Sequence, residues 1–90
     1  MLYCHRPLPA PPGAHKTFRN KRYTHLTADT QQELIDYALS IGMKREWLQH
    51  GGTYKFHFDI VGPRLEIVLK DARVKVLTLR EFACILKERR

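Results

Sequence analysis

The stretch "PRLEIVLKDARVKVL", residues 63–77, decides the fold, because its first ten residues fit two patterns at once. Leu65, Ile67 and Leu69 alternate as in a half-buried strand, which would form a hairpin with "RVKVL" (73–77). Leu65, Val68, Leu69 and Ala72 instead recur at helical spacing, and Pro63 suits a first helical turn, where its missing N–H has no partner to lose. The helix is the preferred reading, and "VKVL" (74–77) is then a short buried strand.

Two more helices flank this unit. In "TQQELIDYALSIGM" (30–43), Thr30 and Glu33 have the spacing of a capping box, Leu34, Ala38 and Ile41 share a face with Ile35 beside them, and Gly42 is placed to end the helix. In "TLREFACILKERR" (78–90), Thr78 and Glu81 repeat the box, and Leu79, Phe82, Ala83 and Leu86 form the apolar stripe. Lys87, Arg89 and Arg90 sit at the carbonyl end, where the helix dipole favours positive charge. "LYCH" (2–5) reads as a short strand and "RPLPAPPG" (6–13) as a stiff loop, since its four prolines suit neither a helix interior nor a central strand. Over 54–60 the alternation predicts a strand with Tyr54, Phe56, Phe58 and Ile60 on the core side and Lys55, His57 and Asp59 on the other.

The order strand, helix, strand, helix, strand, helix predicts an α/β single-domain layer fold with a short central sheet and about three helices. Residues 1–24 form an N-terminal strand and a basic, Pro-rich arm, and 25–90 the α/β core domain. Leu34, Ala38, Ile41, Phe56, Phe58, Val68, Val76, Phe82 and Leu86 are expected to share one core. A chain of 90 residues buries only about 60% of its unfolded surface, so most of the 43% hydrophobic residues are structural.

Composition narrows the partners. The formal charge of +7 is uneven: residues 1–28 carry five bases and no acid, while 29–90 carry eleven bases against nine acids. A basic arm over 14–23, interleaved with Phe18 and Tyr23, would attract phosphates of nucleic acid or of a small nucleotide, or simply keep the chain solvated. No run of about 18 apolar residues offers a membrane span, and the start "MLYCHRPLPAPPG" lacks the apolar stretch of a signal peptide, so a cytoplasmic protein is expected. Cys4 and Cys84 form no C-x-x-C and read as buried or incidental thiols. No motif implies a cofactor, and homo-oligomerisation is left open.

The segment "WLQHGGTYKFHFDI" (47–60) gathers Trp47, Gln49, His50, Tyr54, His57 and Asp59 around a Gly51–Gly52 turn. "HLTADTQQEL" adds His25 and Asp29, and Arg64 follows Pro63. Asp29 could do no more than place negative charge at a helix start, and Trp47 could be a core aromatic. His25 and His57 are harder to treat as filling, since a histidine on a strand is costly to bury without a partner.

In order along the chain, "HLTADTQQEL", "IGMKREWLQHGG" and "HFD" resemble an uncharacterised bacterial and phage family, domain of unknown function 4031. The resemblance falls on His25, Leu26, Ala28, Asp29, Thr30, Glu33, Leu34, Ile41, Gly42, Trp47, Gln49, His57 and Asp59, with Arg64 in place, and covers residues 25–80. Leu48 and Phe58 stand where the family usually has Phe and Tyr, and His5 stands where its first strand commonly ends in aspartate. The resemblance supports a site built on His25, Asp29, Trp47, Gln49, His57 and Asp59. It carries no settled activity.

Three functional readings follow. In the preferred one the chain binds a small phosphorylated or nucleotide-like ligand without catalysis: Trp47 or Tyr54 stacks on a base, Gln49 reads an edge, and Arg64, Lys55 and helix amides hold phosphate. A phage origin, which the distribution of the family it resembles allows, would make sequestering a host signalling nucleotide one concrete case. In the second, His25, His57 and Asp59 serve a metal-assisted phosphoester hydrolase. In the third, the basic arm and the C-terminal "KERR" (87–90) bind nucleic acid electrostatically and the histidines are structural. If the arm does bind DNA or RNA, affinity should fall steeply with added salt in a filter-binding assay, and absence of binding even at low salt removes the third reading.

Overall fold

The computed structural model describes residues 1–9 and 22–89. In chain order its elements are β1 (Leu2–His5), β2 (Leu8–Pro9), β3 (Arg22–Ala28), α1 (Gln31–Ser40), β4 (Phe58–Val61), α2 (Pro63–Lys70), β5 (Val74–Leu77) and α3 (Leu79–Glu88). Strand β3 is the spine: β4 lies antiparallel on one side of it, and β1 and β2 lie antiparallel on the other. Beyond β1, β5 closes the sheet in parallel. The result is an α/β domain with a five-stranded mixed sheet and three helices.

The ambiguous segment resolves as a helix followed by a strand. Gly62 enters it at φ 64°, a left-handed conformation that suits glycine, and Pro63 opens α2. Val68 is fully buried, whereas Ile67, which only the strand pattern would bury, is 47% exposed.

Alternation along β3 separates two layers. Thr24, Leu26 and Ala28 face one way and, with Cys4, Phe58 and Ile60, have no exposed surface; Leu34, Ala38 and Val68 of α1 and α2 pack in the same layer. Tyr23, His25 and Thr27 face the other way, toward α3, whose Phe82 ring lies 5.3 Å from His5 and 6.3 Å from His25. Phe82 is therefore buried outside the main core, against imidazoles, and does not share the layer of Phe58 as the sequence suggests. Leu86 is only half-buried. Val76 is 42% exposed, because edge strand β5 has a neighbour on one side only.

Local chemistry sets the ends of the elements. The full capping box forms at α3, where the Thr78 hydroxyl accepts from Glu81 N–H and the Glu81 carboxylate accepts from Thr78 N–H. At α1 only half of it forms: Thr30 accepts from Glu33 N–H, but the Glu33 carboxylate turns to the amine of Met1, 2.6 Å away. Gly42, at φ 83°, ends α1, and Met43 N–H closes back onto Ala38 O.

The strand expected over 54–60 begins later. Tyr54 lies in a turn, His57 forms a lone bridge with Gln49, and continuous pairing starts at Phe58. Phe56, Phe58 and Ile60 are buried as expected, but Tyr54 is not on their side.

The Pro-rich stretch contributes an irregularity of its own. Leu2 lies opposite Ala28 and Cys4 opposite Leu26, yet Leu8 lies opposite Tyr23. Three residues, His5, Arg6 and Pro7, thus face only Thr24 and His25, which makes a β-bulge. The Thr24 hydroxyl plugs the gap, accepting from His5 N–H and donating to His5 O.

Residues on both sides of position 24 belong to the one sheet, with β1 inside it. Most of the basic arm, 14–21, lies outside the described residues. Among the described residues no helix is long and apolar enough to cross a membrane.

Truncating fully buried Phe58 to alanine should cost about 3–5 kcal/mol, whereas Val76→Ala, at a position 42% exposed, should cost about 1 kcal/mol or less. Urea denaturation of the two variants checks the contrast. Equal losses would contradict this division between core and edge.

Candidate metal centre

The register of β3 against β4 puts His25 directly opposite Asp59. Residues opposite one another in an antiparallel pair point to the same face, so both project from the α3 side of the sheet. His57 lies two residues before Asp59 and therefore shares that face. It is positioned by Gln49, whose backbone exchanges hydrogen bonds of 2.8 and 3.1 Å with the backbone of His57. Gln49 thus acts through its main chain.

The three side chains meet. His25 Nε2 lies 3.4 Å and His57 Nε2 3.5 Å from the same oxygen, Asp59 Oδ1. One ligand-capable atom from each of the three lies within 4.8 Å of the others. All three side chains are partly open, at 32%, 16% and 36% exposure, so the cluster is reachable from solvent.

The remaining ring nitrogens fix the proton positions. His57 Nδ1 lies 2.8 Å from the carbonyl of Lys55, an acceptor only, so this nitrogen carries the proton and donates it. His25 Nδ1 lies 3.0 Å from His5 Nε2, and His5 Nδ1 lies 2.8 Å from the carbonyl of Arg6. In the neutral cluster both Nε2 atoms consequently present lone pairs to a carboxylate oxygen that also has only lone pairs. Three acceptors converge with no donor among them. A proton or a cation between them relieves the repulsion.

Electrostatics distinguish the two imidazoles of the cluster. Burial, together with the neighbouring His57 and His5, pushes His25 down to about 4, so it stays neutral at physiological pH despite Asp59. Burial also disfavours the charged form of His57, but the hydrogen bonds to the Asp59 carboxylate and the Lys55 carbonyl outweigh it and raise His57 above its ordinary value. Asp59 is lowered, chiefly by the hydrogen bond from His57. Of the two imidazoles, His57 is thus the one that takes up a proton more readily.

A cavity of about 350 Å³ opens beside the histidines, with His50, Tyr54 and Lys55 on one side and Phe82, Leu86 and Lys87 on the other. Neither Lys55 nor Lys87 has an acidic partner among the described residues. Lys55 Nζ lies 5.6 Å from the Tyr54 ring, and the His50 ring stacks 5.7 Å from that of His57. His50 has φ 55°, uncommon for a residue with a side chain.

Other residues expected at the site lie apart from this cavity. Trp47, 42% exposed on a 3₁₀ turn, lines a second cavity with Gln49, Asp59 and Arg64. Arg64 is occupied: it donates to the carbonyls of Ile41 and Gly42, completing the end of α1, and its guanidinium lies 5.4 Å from the Trp47 ring. Asp29 accepts from the Tyr3 hydroxyl at 2.9 Å and pairs with the amine of Met1. It follows the end of β3 and takes no part in the His25 cluster. His5, at 0% exposure, was not among the candidate residues; its contacts depend on the bulge, which leaves no periodic trace in the sequence.

A family model described as protein of unknown function (DUF4031) matches residues 12–89. The chain belongs to this family. No curated protein and no solved structure matches it. His25, His57 and Asp59 fall inside the stretch that matches DUF4031, and His5 falls outside it.

The two imidazoles should titrate apart. In metal-free protein, NMR should find His57 titrating above its ordinary 6.5 and His25 only near 4. Because unfolded His25 takes up its proton near 6.5, its contribution to stability is lost as pH falls from about 6.5 to 4. The contribution of His57 has the opposite sign: it is full below 6.5 and is lost as pH rises through its folded value. Equal titration of the two rings would contradict the assigned environments.

Proposed function

We propose that this chain is a divalent-metal-dependent hydrolase of small phosphoesters, with His25, His57 and Asp59 as the metal ligands. The observation that carries the reading is the convergence of two Nε2 atoms on Asp59 Oδ1, while both Nδ1–H groups are engaged elsewhere. A cation is the natural occupant of such a point. Two of the separations, 3.4 and 3.5 Å, are near those between tetrahedral ligands at zinc–nitrogen distances of about 2.0–2.1 Å, while the set as a whole spans up to 4.8 Å, so the imidazoles would draw together on a bound ion. Two imidazole nitrogens and a carboxylate oxygen are a donor set that zinc accepts.

Three protein ligands on a solvent-reachable face leave a coordination position for water, the pattern of catalytic rather than structural zinc. Bound there, zinc would lower the pKa of water to about 7 and supply a hydroxide nucleophile near neutral pH. Lys55 and Lys87, which line the cavity without an acidic partner among the described residues, would take the phosphate oxygens, and Phe82 and Leu86 would offer an apolar wall to the organic group. With the metal held by His25, His57 and Asp59, the chemistry supplied would be hydrolysis: a water oxygen would bond to phosphorus, the ester P–O bond would break, and the leaving oxygen would take a proton from solvent to give alcohol and phosphate. The open position favours this hydrolysis over the binding without turnover expected from sequence, and occupied Arg64 weakens a purely phosphate-clamping site.

Calorimetry should give one zinc ion per chain, with affinity reduced at least about 100-fold in Asp59→Asn and His57→Ala. Zinc-loaded protein should hydrolyse p-nitrophenyl phosphate, lose the activity to a chelator and regain it with zinc. Absence of stoichiometric zinc binding overturns the site. Zinc binding with esters recovered intact, across nucleotides and sugar phosphates, reduces the reading to ligand binding.

A further inference from the structure

We propose that His5 is the positioning residue of the metal site: seated in the β1–β2 bulge, its imidazole fixes His25 in the single tautomer that can ligate. The purpose of this device rests on the metal reading above. The hydrogen-bond arrangement can be tested without any metal.

The Arg6 carbonyl accepts only, so at 2.8 Å it requires the proton on His5 Nδ1. The backbone N–H of His25 donates only, and it lies 3.0 Å from His5 Nε2, which must therefore be the acceptor. Protonation of both His5 nitrogens would set an N–H against that amide. With His5 Nε2 fixed as an acceptor, the nitrogen of His25 facing it at 3.0 Å, Nδ1, must carry a hydrogen. The one unprotonated position left on His25 is Nε2, which faces Asp59.

Without this lock the outcome would differ. Free imidazole side chains favour the proton on Nε2, and in that tautomer His25 would offer a hydrogen where the cation must sit. It would also turn two lone pairs against each other at His5. The bulge makes the lock possible: with Pro7 lacking an N–H and three residues facing two, the strand gives up regular pairing there. The backbone amide of His25 is then satisfied by the His5 ring. Complete burial of His5, under Phe82, keeps water from competing for the same nitrogens. Ligating histidines generally hold their second nitrogen on a partner of this kind, and losing such a partner costs about 10–100-fold in metal affinity.

Two polar variants separate the roles of the His5 nitrogens. In His5→Asn the side chain can still reach the Arg6 carbonyl but places no acceptor near His25 Nδ1. In His5→Gln the terminal oxygen reaches the position of Nε2. Nitrogen-15 NMR of metal-free protein should show His25 as the Nδ1–H tautomer in the parent and in His5→Gln, and as a mixture of tautomers in His5→Asn. Zinc affinity by calorimetry should fall about 10–100-fold in His5→Asn and stay within about threefold in His5→Gln. A parent His25 protonated on Nε2 overturns the proposal, as does a folded His5→Asn with unchanged tautomer and zinc affinity. If circular dichroism shows His5→Asn unfolded, a folded His5→Gln decides: retention of the tautomer supports the proposal and its loss overturns it. If the parent binds no zinc, the hydrolase reading fails alone, and the tautomer measurement still decides the role of His5.

Discussion

Everything at the candidate metal centre depends on the pairing of β3 with β4. Leu26 opposite Phe58 and Thr24 opposite Ile60 have no exposed surface, so the register is set by burial on one face of the sheet. A slip by one residue would turn Phe58 and Ile60 out of the core toward the polar α3 face and is correspondingly unfavourable. Because side chains alternate, the same constraint delivers His25 and Asp59 as neighbours on the opposite face. The hydrophobic effect, acting on residues with no chemistry of their own, thereby places the polar cluster.

The cluster lies on the face that α3 covers, and this accounts for its composition. The main core between the sheet and helices α1 and α2 is apolar almost throughout. On the other face Phe82 packs against imidazole rings, and Thr27 holds a network in which its hydroxyl donates to the Phe56 carbonyl and accepts from Arg89. Buried polar groups are tolerable there because each has a partner: among the described residues no buried side-chain nitrogen or oxygen lacks one. Arg89 also donates to the Ala28 carbonyl and lies 4.4 Å from the Phe56 ring, tying the end of α3 to the strand that carries His25.

Much of this was legible in the sequence, for physical reasons that also mark where legibility ended. Helices α1, α2 and α3 announce themselves through capping residues, Pro63 and apolar spacing, all of which are local. The alternation of Phe56, Phe58 and Ile60 located the buried face, and His57 and Asp59 could be assigned together to the other. Tyr54 continued the same alternation but sits in a turn, because pattern persists in the sequence after pairing has stopped. Trp47 and Arg64 looked like ligand groups by type; their placement depends on how α1 ends, which no periodicity encodes. His5 was the least visible, since its contacts arise from a register shift between strands distant in sequence.

The cluster draws on backbone of unequal firmness. His25 lies on the central strand, paired with β4 on one side and held by the His5 ring on the other, whereas His57 stands outside the continuous ladder, after a turn that passes through His50 at φ 55° and Gly52 at φ 80°. Segments with few ladder bonds open more readily than inner strands. A cation held here would leave by steps, His57 swinging away first while His25 and Asp59 remained in place as a bidentate half-site. Rates of metal exchange would then follow the stiffness of the 50–56 turn, and equilibrium affinity the geometry of the inner strand, so the two properties could change independently through different residues.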